Sequence, residues 1–224
     1  MDITITLAIV VVTVLISIRG FSHQQVIDDL IFYPPAIDSR KQYFRFISHG
    51  FIHADFIHLA FNMFAFYSFG QAVEEIFGLQ CLFGGMGKLF FILLYFSSLV
   101  MASLPDFFKY RESYHFRSLG ASGAVSAIVF SSIVLLPQIP IRILFIPIDI
   151  PGYIFGLIFL LFSAYLDKKG GGNINHGAHF WGAAYGVVFT IVFCILFSNL
   201  DVYENFIRQF RSMGTILPFE CDFK

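Results

Sequence analysis

Apolar stretches of about 17–25 residues recur along this chain, the length a helix needs to cross ~30 Å of hydrocarbon. Composition agrees: 57% of the 224 residues are hydrophobic and 13% charged, where a soluble domain carries about 25% charged residues. The fold class expected is therefore all-α: a polytopic membrane protein built as a bundle of six transmembrane helices. Their expected positions are 3–19, 56–78, 86–104, 119–136, 144–166 and 177–199, followed by a short tail over 200–224. No shift of composition marks a boundary, so 1–224 reads as a single membrane domain.

The first apolar run, 3–18, resembles a signal-peptide core. It lacks a basic start, and Arg19-Gly20-Phe21 follows it in place of a small-residue cleavage site, so it reads as a retained helix. The long connection 20–55 contains Lys41-Gln42-Tyr43-Phe44-Arg45-Phe46, a mixture of cations and aromatics suited to the headgroup region. Pro147 and Pro151 put the start of the fifth helix either after Pro151 or at a kink there. Lys168-Lys169-Gly170-Gly171-Gly172 reads as a flexible loop. The net charge of −1 argues against a nucleic-acid partner. Cys81, Cys194 and Cys221 form neither a metal spacing nor a disulfide framework and read as packing residues.

With six spans, helices two, four and six run in one direction and start on one face of the membrane. His58 and Asn62 lie near the start of the second, Ser122 near the start of the fourth, and His179 near the start of the sixth. At ~1.5 Å per residue, these groups fall at one depth. Polar and ionisable residues inside a membrane are costly and mark candidate functional sites.

Ser122 sits in Gly120-Ala121-Ser122-Gly123. The two glycines leave room for a substrate backbone to approach the hydroxyl, and a helix start supplies N–H groups without intrahelical partners that would stabilise an oxyanion. The same small residues also suit plain helix packing. His179 precedes Gly182 by three residues, and Gly182 with Gly186 forms a close-contact face. If that face packs on the fourth helix, the imidazole meets Ser122 and serves as its base. A structural interhelical hydrogen bond is the competing role. His58 and Asn62 share a helix face and would donate to the developing charge, or else staple the preceding loop. His49, His53, His58, His176 and His179 together admit a metal-carrier reading, against which no His-Glu-x-x-His occurs and no carboxylate lies near mid-span. No acidic residue is placed to orient His179, so catalysis would rest on a Ser–His pair, and such a set points to peptide-bond hydrolysis inside the bilayer.

Taken together, these motifs resemble the rhomboid family of intramembrane serine proteases. Gly120-Ala121-Ser122-Gly123 is similar to the family's Gly-x-Ser-Gly, His58-Leu59-Ala60-Phe61-Asn62-Met63 to its second-helix pattern, and Ala178-His179-Phe180-Trp181-Gly182 to its sixth-helix histidine. Tyr43-Phe44-Arg45, the upstream His49 and His53, and Gly70-Gln71-Ala72-Val73-Glu74 follow in family order. The resemblance covers about residues 3–199.

It implies a minimal six-helix rhomboid core with Ser122 as nucleophile and His179 as general base. His58, Asn62 and the Ser122 N–H would form the oxyanion hole. Gly120, Gly123 and Gly182 would support the motif by close packing, and Arg45 and Glu74 would be structural. It implies no metal and no cofactor, and single-pass transmembrane proteins as substrates, cut near the membrane boundary after a small residue. The alternative it leaves is a catalytically silent relative that binds membrane proteins. Where the family carries an aromatic one turn after the nucleophile, this chain has Ser126, so Trp181, Phe180 or another aromatic is expected to pack on His179. Family topology puts both termini in the cytosol and the site near the outer face, yet nine of the basic residues then fall outside and five inside, against the usual bias. The compact core suggests a bacterial plasma membrane.

Overall fold

Ten α-helices and one hairpin form from the residues that the computed structural model describes, 3–142, 148–170, 174–212, 215–217 and 219. In chain order they are α1 (Ile5–Ser22), α2 (Gln24–Leu30), α3 (Pro34–Arg40), α4 (Arg45–Ser48), α5 (Phe56–Phe77), α6 (Gly87–Tyr110) and α7 (Ser122–Leu135). The hairpin β1 (Pro140–Arg142) and β2 (Asp149–Pro151) follows, then α8 (Gly152–Lys169), α9 (His176–Phe197) and α10 (Val202–Arg211).

Among the described residues three helical segments are long and apolar enough to cross a membrane: Ile5–Ser22, Gly84–Tyr110 and His176–Phe197. The chain is thus an integral membrane protein. Helices α5 and α8 match them in length, at 22 and 18 residues. Each also carries charge, Glu74 and Glu75 in α5 and Asp167, Lys168 and Lys169 in α8. Helix α7 has only 14 residues, about 21 Å of rise, so it does not span the ~30 Å core by itself.

Its shortness corrects the expected start at 119. Gly120 has φ +110, outside the helical region and favoured only by glycine. Just before it, Ser118 pairs with Phe32, each N–H donating to the other's carbonyl at 3.0–3.1 Å. Helix α6 runs past the expected end at 104 and through Pro105, with Ser103 and Asp106 on either side of it buried and hydrogen-bonded. Of the fifth helix, residues 144–147 lie outside the described residues, but helical structure starts only after Pro151. Residues 149–151 pair instead with 140–142, closed by the Arg142–Asp149 ion pair. The all-α expectation is corrected to that extent. Lys168 and Lys169 belong to the last turn of α8 rather than to a loop, where cations meet the helix dipole favourably. Gly170 ends the helix at φ +63, while Gly171 and Gly172 lie outside the described residues. Within the expected tail, α10 is strongly amphipathic and packs on α7.

Every residue of α7 after Ser122 is buried, among α5, α6 and α9. Glycine permits the closest of these contacts. A Cβ on Gly182 would lie 2.1 Å from the Gly123 carbonyl oxygen, and one on Gly186 2.2 Å from that of Ala127, so α9 and α7 touch backbone to backbone. Lower down, Thr190 donates to Ser131 across the same interface at 2.7 Å. At the far end of α7, Asn205 of α10 donates to the Leu135 carbonyl at 2.9 Å, satisfying a last-turn acceptor that has no helical partner. Helix α1 is tied to α5 through Glu74, whose carboxylate accepts from the Ile5 and Thr6 N–H groups and the Thr6 hydroxyl at 2.7–2.8 Å. Arg45 donates to the Asp28 and Ile31 carbonyls and to Gln42, binding α4 to α2. Both residues are thereby structural, as expected.

The cysteines divide. Cys194 is free and buried, which suits packing, whereas Cys81 is disulfide-bonded, correcting the reading of all three as packing residues. Cys221 lies outside the described residues.

Candidate active site

Ser122 opens α7, and His179 lies in the first turn of α9. Because Gly182 rests on Gly123, the turns carrying Ser122 and His179 are neighbours. The ideal Cβ position of Gly123 lies 3.4 Å from the Ala178 carbonyl, the residue before His179. Both side chains are half-buried. No hydrogen bond joins the Ser122 hydroxyl to His179.

Helix α5 brings the third group. Asp55 caps it, accepting from the His58 N–H at 2.7 Å. The His58 ring lies over Gly120: a Cβ there would be 2.8 Å from His58 Cε1 and 3.0 Å from Nε2. Any side chain at 120 would therefore displace His58, in addition to the strain at φ +110. Buried Asn62 donates one amide N–H to the His58 carbonyl at 2.9 Å, leaving its second N–H for another acceptor.

The segment before Ser122 is held by the first loop at three points. These are the Phe32–Ser118 bridge, the Gly120 N–H to the His49 carbonyl at 2.9 Å, and the Ala121 N–H to His53 Nε2 at 3.4 Å. His53 Nδ1 lies 2.9 Å from Ser17 Oγ, whose own proton goes to the Phe51 carbonyl. Nδ1 is thus the donor and Nε2 the acceptor, a neutral ring with both nitrogens in use. Burial, then the neighbouring His58 and His49, pushes its pKa down to about 3, and burial takes that of His49 to about 4. A metal at His53 would have to displace two existing bonds, and among the described residues no group of three candidate ligands converges.

Two further contacts at the start of α9 escaped the sequence reading. Asn175 caps the helix, accepting from the Ala178 N–H at 3.0 Å, and donates to buried Asp106 at 2.6 Å and to Ser118 at 3.2 Å. An asparagine ahead of an apolar run is the signal that could have located this cap; the pairing with Asp106 has none. The ring packed on His179 is neither Trp181 nor Phe180, which pack on each other. Phe159 of α8 stacks on it instead, with centroids 6.2 Å apart and planes 29° apart, while His176 meets it edge-on at 5.9 Å.

Comparison with known proteins decides the family. The rhomboid domain matches residues 40–196, a stretch that holds every candidate site residue. The chain belongs to the rhomboid family. It is also similar to the RHOMBOID-like protein 12, mitochondrial, of Arabidopsis thaliana, at 27% identity over 195 residues. That alignment covers 84% of this chain and 57% of the relative, so the chain spans little more than half of that protein's length.

Proposed function

We propose that this protein is an intramembrane serine endopeptidase that cleaves single-pass transmembrane proteins near the membrane boundary. The reading takes 1–224 as one domain of six spans, with α5 and α8 crossing in full and α7 rising from within the bilayer. What supports it is the Gly182–Gly123 contact, which sets side by side the starts of α7 and α9, the turns that carry Ser122 and His179.

In this reading His179 takes the Ser122 hydroxyl proton as Oγ attacks the scissile carbonyl carbon. The carbonyl electrons move to oxygen, and the Ser122 N–H, His58 and the free N–H of Asn62 receive that charge. Collapse breaks the C–N bond, and the leaving amine takes the proton from His179. Water then attacks the acyl-serine, again giving its proton to His179, and the peptide acid departs as Ser122 regains a proton. The residues supply nucleophile, base and donors themselves, so no cofactor or metal enters. Substrate reaches the site laterally, past α5 and α8.

The test uses purified protein in detergent with chelator and a single-pass substrate bearing a small residue near its outer boundary. Cleavage by wild type and none by a folded Ser122→Ala variant is the expected result. Persistent cleavage by that variant rejects Ser122 as nucleophile. Binding of the substrate with neither cleavage nor fluorophosphonate labelling of Ser122 gives the silent binder instead. As for the compartment, the expectation of a bacterial plasma membrane gains nothing from the Arabidopsis relative, which is named mitochondrial. Fractionation of the native cell decides it.

A further inference from the structure

The ring that packs on His179 comes from α8, a helix with few buried residues. Gly152, Gly156 and Ser163 are its buried positions, while Leu157, Ile158, Leu161 and Phe162 are 58–65% exposed. Phe159 is one of the half-buried residues, with Phe155 and Leu160, by which α8 packs on the core. It contacts Phe130 of α7 at 5.7 Å, Phe155 at 5.8 Å and His179 at 6.2 Å between centroids. Gly156, one turn earlier, faces the same Phe130 ring, and a Cβ there would stand in ordinary contact, 3.4 Å from both Phe130 Cε1 and Ile133 Cδ1. Phe159 is thus wedged between the helix that bears Ser122 and the ring of His179. The offset-stacked geometry falls within the range in which aromatic pairs attract. On the α7 side, position 126 is a serine whose hydroxyl is turned back to the Ser122 carbonyl at 2.8 Å, so it presents no ring.

We infer that Phe159 is a positioning residue for His179, so that the base is oriented only while α8 lies against α7 and α9. This rests on the proposed Ser122–His179 chemistry. Movement of α8 to admit a substrate would unstack the imidazole, and its return would restore it, joining closure and activation in one step. A residue that merely blocked entry would behave in the opposite way, because shortening it would speed turnover.

The experiment compares wild type with Phe159→Leu, Phe159→Met, Phe159→Tyr and Phe155→Leu, all checked for thermal unfolding in detergent. Two rates are read: steady-state cleavage of the single-pass substrate, and labelling of Ser122 by a small fluorophosphonate that needs no lateral entry. Loss of base orientation sacrifices part of the 10²–10⁴-fold that a general base supplies. We therefore expect the Leu and Met variants to lose about tenfold or more in kcat and in labelling rate, with KM little changed. Tyr at 159, which keeps the ring, and Leu at 155, which removes a ring that does not touch His179, should match wild type. Labelling by folded Leu or Met variants at or above the wild-type rate overturns the inference and leaves the protease reading intact. Wild type that is neither active nor labelled rejects both.

Discussion

Gly182 of α9 and Gly123 of α7 meet so closely that a methyl group on Gly182 would stand 2.1 Å from the Gly123 carbonyl oxygen. No side-chain rotation relieves that contact, because both partners are backbone. The depth and rotation of His179 relative to Ser122 follow from it.

Gly182→Ala should therefore push α9 away from α7. Overpacking of this kind costs about 1–3 kcal/mol, and a shift of ~1 Å at the site would lower cleavage about 100-fold. Gly156→Ala, whose Cβ finds its nearest neighbours at 3.4 Å, is the control and should keep its melting temperature. Thermal unfolding and cleavage rate of the two variants check this.

His53 and His49 predict acid lability. Both have native pKa values depressed from 6.5 to about 3 and 4. Above pH 6.5 the rings are neutral in both states and their contribution to stability is complete. As pH falls from 6.5 toward 4 the unfolded chain binds protons that the folded one refuses, so stability drops by up to about 1.4 kcal/mol per pH unit for each histidine. The melting temperature of wild type should fall steadily between pH 6.5 and 4.5, and that of His53→Phe less steeply. A flat profile for wild type contradicts the assignment.

His53→Phe also strands the Ala121 N–H, while the Ser17 hydroxyl loses a donor but keeps its bond to the Phe51 carbonyl. At neutral pH the lost acceptor should cost about 1–3 kcal/mol and loosen the segment before Ser122, lowering its fluorophosphonate labelling. His53→Gln, which retains an acceptor and a donor, should recover part of both.

Asn175→Ala removes the cap of α9 and leaves the buried Asp106 carboxylate without its closest donor. Loss of a cap alone costs about 0.5–2 kcal/mol, and because His179 lies in that first turn, kcat should fall more than stability predicts. Asn175→Asp keeps the cap but places a second carboxylate against Asp106, and it should be worse in neutral than in acidic buffer. Melting curves and cleavage rates at two pH values check both.

His58→Ala should leave the fold intact, since Asp55 caps α5 through the backbone N–H of residue 58 rather than its ring. The rate of cleavage should drop by about 10²–10³-fold, the usual effect of removing one oxyanion donor. Steady-state kinetics beside Ser122→Ala measure it.

The amino-acid sequence by itself determined what local chemistry determines. Long apolar runs had to become helices, and the starts of α5 and α9 lie within a residue of where the pattern placed them. Ser122 and His179 stood out because small residues surround them. The pattern could not show that α7 begins only at Ser122, because that start depends on Phe32 pairing with Ser118 from a distant loop. Nor could it show α10, whose charged face reads as a polar tail until its other face finds α7. The bonds of Asp106 with Asn175, of His53 with Ser17 and Ala121, and the stack of Phe159 on His179 all join separate elements. Helical periodicity reports which way one segment faces, whereas the packing of segments across the bundle decides what each side chain meets there.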